Sequence, residues 1–225
     1  MTLRGLYAVT PDWDDSRRLL AATEAALAGG CRLVQYRNKG ASDGHRLEQA
    51  GALRALTRRY GARLIVNDHV ELAAQVEADG VHLGGGDGAI AAARRRLGAD
   101  RIIGASCYDS LERARAAAAA GADYLAFGSF FPSRVKPGAR RADLALLRAA
   151  RREFALPIAA IGGITPDNGA ALVEAGADLL AVISALYEAP DPGAAARRFG
   201  SLFPSLPPAG ERETVSLRDV DFYED

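Results

Sequence analysis

Short apolar runs alternate along this chain with longer segments in which apolar positions recur every three or four residues. The short runs lie at 6–10, 33–37, 64–68, 81–84, 102–107, 124–131, 157–161 and 179–184 and read as eight strands. The longer segments at 16–28, 45–60, 111–120, 143–154 and 166–175 carry helical spacing. Strand and helix in alternation predict a parallel sheet, and eight units predict its closure into a (β/α)8 TIM barrel. Glycine-containing punctuation at 28–30, 60–62, 78–80, 98–100, 121–123 and 176–178 supports the count, because glycine just past a helix supplies the left-handed residue that turns the chain into the next strand. An open doubly wound sheet is the rival, and no glycine fingerprint follows the first strand to favour it. From Phe203 onward Pro204, Pro207, Pro208 and Gly210 give way to alternating charges. The expected division is one barrel domain over 1–203 and a loosely held tail over 204–225.

At 49% hydrophobic residues over 225 positions the chain has ample material for one large core. Its 28 basic and 28 acidic residues cancel, which removes the electrostatic footprint of a nucleic-acid or anionic-membrane binder. Cys31 and Cys107 lie far apart without metal or redox spacing and read as buried, reduced thiols. Neither a signal peptide nor an apolar run of about 20 residues is present, so the expectation is a cytoplasmic protein whose partners are small molecules, with a homo-oligomer left open.

Candidate chemistry collects where strands give way to loops. In a parallel barrel those ends share one face, so distant residues converge there. In Gln35-Tyr36-Arg37-Asn38-Lys39, alternation points Gln35, Arg37 and Lys39 the same way, and an arginine fork beside a lysine suits phosphate. Asn67-Asp68 ends the third strand and Asp87 follows the fourth through Gly84-Gly85-Gly86. Asp68 and Asp87 together offer two hard oxygen ligands, a sparse set that suits Mg2+ completed by water and substrate phosphate. His82, mid-strand, reads as a core histidine rather than a base. Ser106 closes the fifth strand. The long loop after the sixth strand carries Ser133, Arg134, Val135 and Lys136, the third cation. Gly162-Gly163 and Ile183-Ser184 end the last two strands, where barrels of this type bind monophosphates.

This ordered series, with Gly104-Ala105-Ser106 and Val182-Ile183-Ser184-Ala185, resembles the thiamine-phosphate synthase family over residues 5 to 203. The resemblance implies a Mg2+-dependent transferase that joins hydroxymethylpyrimidine diphosphate to a thiazole monophosphate and releases diphosphate. It further implies that Gln35 contacts the pyrimidine, that Arg37, Lys39, Asn67, Ser106 and Lys136 hold the diphosphate, and that Asp68 and Asp87 bind the metal. By the same resemblance Ser133 to Val135 border the thiazole, and Gly163, Ile183 and Ser184 hold its phosphate. The catalytic set expected is Arg37, Lys39, Ser106 and Lys136, with Tyr36, Asn38, Arg134 and Gly162 among the substrate-binding residues. Two positions depart from the family pattern: Gly85 and Gly86 before Asp87, and Val135 where the family has a threonine. The alternatives weighed are a thiazole tautomerase of the same superfamily and a degenerate, non-catalytic phosphate-binding barrel.

Overall fold

The computed structural model of the chain describes residues 3–84, 87–132 and 141–203, with backbone alone at 87 and 88. In chain order the elements are β1 (Gly5–Val9), α1 (Ser16–Ala28), β2 (Leu33–Tyr36), α2 (Asp43–Arg59), β3 (Arg63–Asn67), α3 (Val70–Gln75), β4 (Gly80–Leu83), α4 (Asp87–Leu97), β5 (Ile102–Tyr108), α5 (Leu111–Ala119), β6 (Tyr124–Gly128), α6 (Leu144–Glu153), β7 (Ile158–Ile161), α7 (Gly169–Glu174), β8 (Leu179–Val182), α8 (Ser184–Tyr187) and α9 (Pro192–Gly200). Each strand pairs in parallel with the next, and β1 pairs with β8 from Gly5↔Leu179 to Ala8↔Val182, which closes the barrel.

Alternation along each strand sorts the apolar residues into two layers. Outward-facing Leu6, Val34, Leu64 and Val66 pack under helix residues such as Leu19, Leu53 and Leu147. Inward-facing Tyr7, Leu33, Ile65, Tyr124 and Leu179 fill the barrel itself. Both layers exclude water, which is why the eight runs read as nearly continuous apolar segments.

A clasp recurs three times on the face where strands begin. Asp79 accepts from Leu64 N at 2.7 Å and from Arg54 Nη1 of α2 at 2.6 Å. Asp123 accepts from Ile103 N at 2.6 Å and Arg94 Nη2 of α4 at 2.7 Å. Asp178 accepts from Ile158 N at 2.9 Å and Arg151 Nη1 of α6 at 2.8 Å. Each aspartate thus ties a helix, the strand after it and the turn into the following strand.

The glycine turns form as expected with one exception. Gly30, Gly61, Gly98, Gly121 and Gly176 all take positive φ, but before β4 the left-handed residue is Glu77 at φ 51. Gly80 serves another need there, since a Cβ on it would collide with the Ile102 carbonyl oxygen of the neighbouring strand. Element ends also differ from the sequence reading. β6 stops at Gly128 rather than 131, and Phe130 N and Phe131 N then follow the end of β7 through Ile161 O and Gly162 O. Pro166 does not open α7, because Asn168 Oδ1 accepts from Thr165 N at 2.8 Å and makes 165–168 a turn. β8 stops at Val182, and Ser184 begins α8. Cys31 and Cys107 are buried and unpaired. No helix among the described residues is long and apolar enough to cross a membrane. The expected tail, 204–225, lies outside the described residues.

Candidate active site

The carboxyl ends of the strands open into one cavity of about 1260 Å³. From β2 come Gln35, Arg37 and Lys39, all lining it as the two-residue period requires. Tyr36 and Asn38 are corrected by the same period: they point to the helix layer. Tyr36 Oη donates to Gln49 Oε1 at 3.0 Å, and Asn38 Nδ2 donates to Gln49 Oε1 and to the Trp13 carbonyl, both at 3.2 Å. They brace the segment from behind and take no place in the cavity.

Arg37 is held by a partner the sequence reading passed over. Its Nη1 reaches both Asp12 carboxylate oxygens, at 2.9 and 3.0 Å, and Asp12 Oδ1 also accepts from Lys39 N at 2.9 Å. Asp12 therefore fixes the guanidinium and the backbone that presents Lys39. Its signal was its place, just past the end of β1 on the face where loops converge.

Asn67 and Asp68 follow at the mouth. Asp68 sits at φ 60, a left-handed position that aspartate tolerates, and its Oδ2 accepts from Asn67 Nδ2 at 2.7 Å. Among the described residues no three potential ligands gather into a metal cage. One exposed carboxylate beside a cationic pocket does fit Mg2+, which keeps its waters and takes phosphate oxygens from substrate. Asp87 opens α4 in the chain path, and its side chain lies outside the described residues, as do Ser133, Arg134, Val135 and Lys136.

The cavity floor is a connected polar row. Gln35 Nε2 donates to Tyr7 Oη at 2.7 Å, Tyr7 Oη meets Tyr124 Oη at 2.7 Å, and Tyr124 Oη meets His82 Nδ1 at 2.8 Å. His82 Nε2 then meets Ser106 Oγ at 2.9 Å. Burial pulls His82 down to about 4, against the opposing pull of the Asp68 charge, and burial pushes the Tyr7 and Tyr124 phenols up. At neutral pH the imidazole is uncharged and both phenols keep their protons. Gly104 makes the row feasible, because the Tyr124 ring occupies the space its Cβ would need. His82 is buried as expected, yet it reaches the site through Ser106.

Across the cavity, Gly162, Gly163, Ile183 and Ser184 form the other wall. The bareness of the glycine pair has a packing cause: a Cβ on Gly162 would strike Ser129 Oγ and one on Gly163 the Pro132 carbonyl, and both residues hold positive φ. The loop after β6 is thereby seated directly on the loop after β7. Two further lining residues went unread in the sequence. Tyr108 stands exposed at φ 55, with the Arg113 guanidinium 5.3 Å from its ring centroid. Arg113, on α5, adds a third cation to Arg37 and Lys39 among the described lining residues.

Residues 6–186 match the family described as thiamine monophosphate synthase. A thiamine-phosphate synthase of Methylobacillus flagellatus is 58% identical over 201 residues, covering 89% of this chain and 96% of that protein. One from Chromobacterium violaceum is also 58% identical over 201 residues, covering 89% and 97%. Among solved structures, a thiamine phosphate pyrophosphorylase from Pyrococcus furiosus superposes with a TM-score of 0.79 at 38% identity, over 89% of this chain and 96% of that one. A 3-hexulose-6-phosphate synthase at 20% identity and a TM-score of 0.66 shares the fold.

Proposed function

The chain belongs to the thiamine monophosphate synthase family, and from that premise we propose that it joins an aminopyrimidine carrying a methyl diphosphate to a thiazole monophosphate, with Mg2+, in the cytoplasm. The observation that carries the reading is that one cavity carries groups suited to anions at two separate ends. Arg37, Lys39 and Ser106 stand with Asn67 and Asp68 on one side, and the loops after β7 and β8 stand on the other. A tautomerase would have no use for the first set.

The pyrimidine ring lies on the floor by Gln35, a buried amide that lines the cavity together with the apolar Val9 and Ala126. Arg37 and Lys39 meet the diphosphate, where charge builds as the methylene carbon–oxygen bond breaks. The aminopyrimidine ring shares the positive charge left on that carbon. The thiazole nitrogen supplies the electron pair of the new bond, and the diphosphate leaves with the pair of the old one. Held by its phosphate against Gly163 and Ser184, the thiazole needs no activation beyond placement. Asp68, with Asp87, would hold Mg2+, which supplies additional charge neutralisation for the diphosphate when bound.

Lys136 and the border formed by Ser133, Arg134 and Val135 belong to this reading through the family resemblance, and they lie outside the described residues. The test is diphosphate release with mass identification of the product. Release is expected only with both substrates and Mg2+ present. Release from the pyrimidine diphosphate alone, or undiminished turnover in excess chelator, would overturn the reading.

A further inference from the structure

We infer that the five polar side chains on the cavity floor form a one-way hydrogen-bond relay, through which the group read by Gln35 sets what Ser106 offers the departing diphosphate. The inference rests on the proposed aminopyrimidine diphosphate substrate. Its direction follows from what each group can do. An amide nitrogen only donates, so Tyr7 Oη accepts from Gln35 Nε2 and must send its own proton to Tyr124. Tyr124 then sends its proton to His82 Nδ1, which leaves the ring proton on Nε2, directed at Ser106 Oγ. Ser106 accepts there, and its own O–H is turned out into the cavity, toward an anionic oxygen.

The other end is equally constrained. With Nε2 committed to Tyr7, Gln35 presents Oε1 to the substrate, an acceptor that suits an exocyclic amine. A ring carbonyl in the amine's place would need a donor and would turn the amide over. Tyr7 would then donate to Oε1 and Tyr124 to Tyr7. His82 would give its Nε2 proton to solvent water at the cavity, take one back at Nδ1, and accept from Ser106. The serine proton would be withdrawn from the leaving group. Because Gln35, Tyr7, Tyr124 and His82 are buried, a single mismatched link leaves an unsatisfied polar group, and the row reverses as a unit. Tyr7, Tyr124 and His82 are thus positioning residues, and substrate identity is read out as leaving-group assistance.

Two measurements test this. Long-range proton–nitrogen NMR of the imidazoles should find His82 neutral with its proton on Nε2. A proton on Nδ1 would overturn the relay whether or not the enzyme turns over. Kinetics then compares the aminopyrimidine diphosphate with its 4-oxo analogue in wild type, Tyr124→Phe and Tyr7→Phe. Cutting the row by removing one hydroxyl should lower kcat on the amino substrate about tenfold, the scale of one hydrogen bond, and leave the slow analogue within about twofold. In a Ser106→Ala background Tyr124→Phe should cost nothing further. Equal losses on both substrates, or additive losses with Ser106→Ala, would show that the tyrosines act only by packing. If wild type releases no diphosphate from the amino substrate, the substrate reading itself falls, and the NMR result alone decides the relay's direction.

Discussion

At the residue scale, the site depends on atoms that are missing. Gly104 has no Cβ, and the Tyr124 ring lies where one would be. Gly104→Ala should push that ring off the floor, separating Tyr124 Oη from Tyr7 and His82, at about 1–3 kcal/mol of stability for overpacking. A urea midpoint that falls together with kcat is the expected outcome; unchanged values in both would mean the strand yields freely. The opposite design holds at Asp68, where the charge is the point. Asn is nearly isosteric, tolerates φ 60 and can still pair with Asn67, so Asp68→Asn should fold normally. Turnover is expected to fall by about tenfold or more at limiting Mg2+ and to recover partly as Mg2+ is raised. A magnesium titration identical to wild type would remove Asp68 from the metal site. Residues of this kind were readable wherever a strand end fixes a face, as at Gln35, Arg37 and Lys39. Tyr36 and Asn38 follow the same two-residue period to the opposite side, so adjacency in sequence to Arg37 gives them no place in the cavity. Asp12 escaped because its meaning lies in Arg37, 25 positions distant in sequence.

Element by element, the clasps at Asp79, Asp123 and Asp178 explain how short strands hold register. A parallel pair has no hairpin to fix its alignment, and a carboxylate that bonds both the first amides of a strand and a helix arginine supplies that lock. Asp123→Ala removes acceptors from Ile103 N and Arg94, neither of which has an exchangeable role in the cavity. The expected cost is about 1–3 kcal/mol, read as a lowered urea midpoint with kcat unchanged in native buffer. A changed kcat would mean that the strand-starting face communicates with the site. All eight strands were legible because double burial leaves an uninterrupted apolar signature. α3 and α8, at 6 and 4 residues, are too short for any helical period to show, and α9 carries Pro192, Gly193 and Gly200, which read as breakers rather than helix. The turn before β4 shows the same limit, since only the packing of Ile102 against Gly80 reveals why glycine moved out of the left-handed position.

For the molecule as a whole, the buried imidazole sets a pH window. His82 is held near 4 by burial, below its ordinary 6.5, so the unfolded chain binds a proton that the folded chain refuses. Stability from this source is complete above pH 6.5 and drains as pH falls toward 4, about 3 kcal/mol in full. Urea midpoints measured without added metal should decline across that window, and His82→Gln should flatten the decline. A wild-type profile level from pH 7 to 4 would contradict it. The exposed pairs of Glu71 with Arg96 and Glu153 with Arg115 hold their carboxyls below the usual range, so whatever they add is present at neutral pH and is lost only in stronger acid. Closure has a different kind of consequence. β1 lies against β8, and the Arg4 guanidinium is 5.8 Å from the Phe203 ring centroid, so the two ends of the described barrel are neighbours. A ring of strands has no privileged starting point. Joining residue 203 to residue 4 by a short linker and cutting the chain at the exposed 98–100 turn should yield a circular permutant with the same cavity and the same kcat. Such a protein would be translated in a different order, and its β1 would no longer wait unpaired on one edge until the end of synthesis. Its refolding yield against that of the native order would measure how much that wait costs.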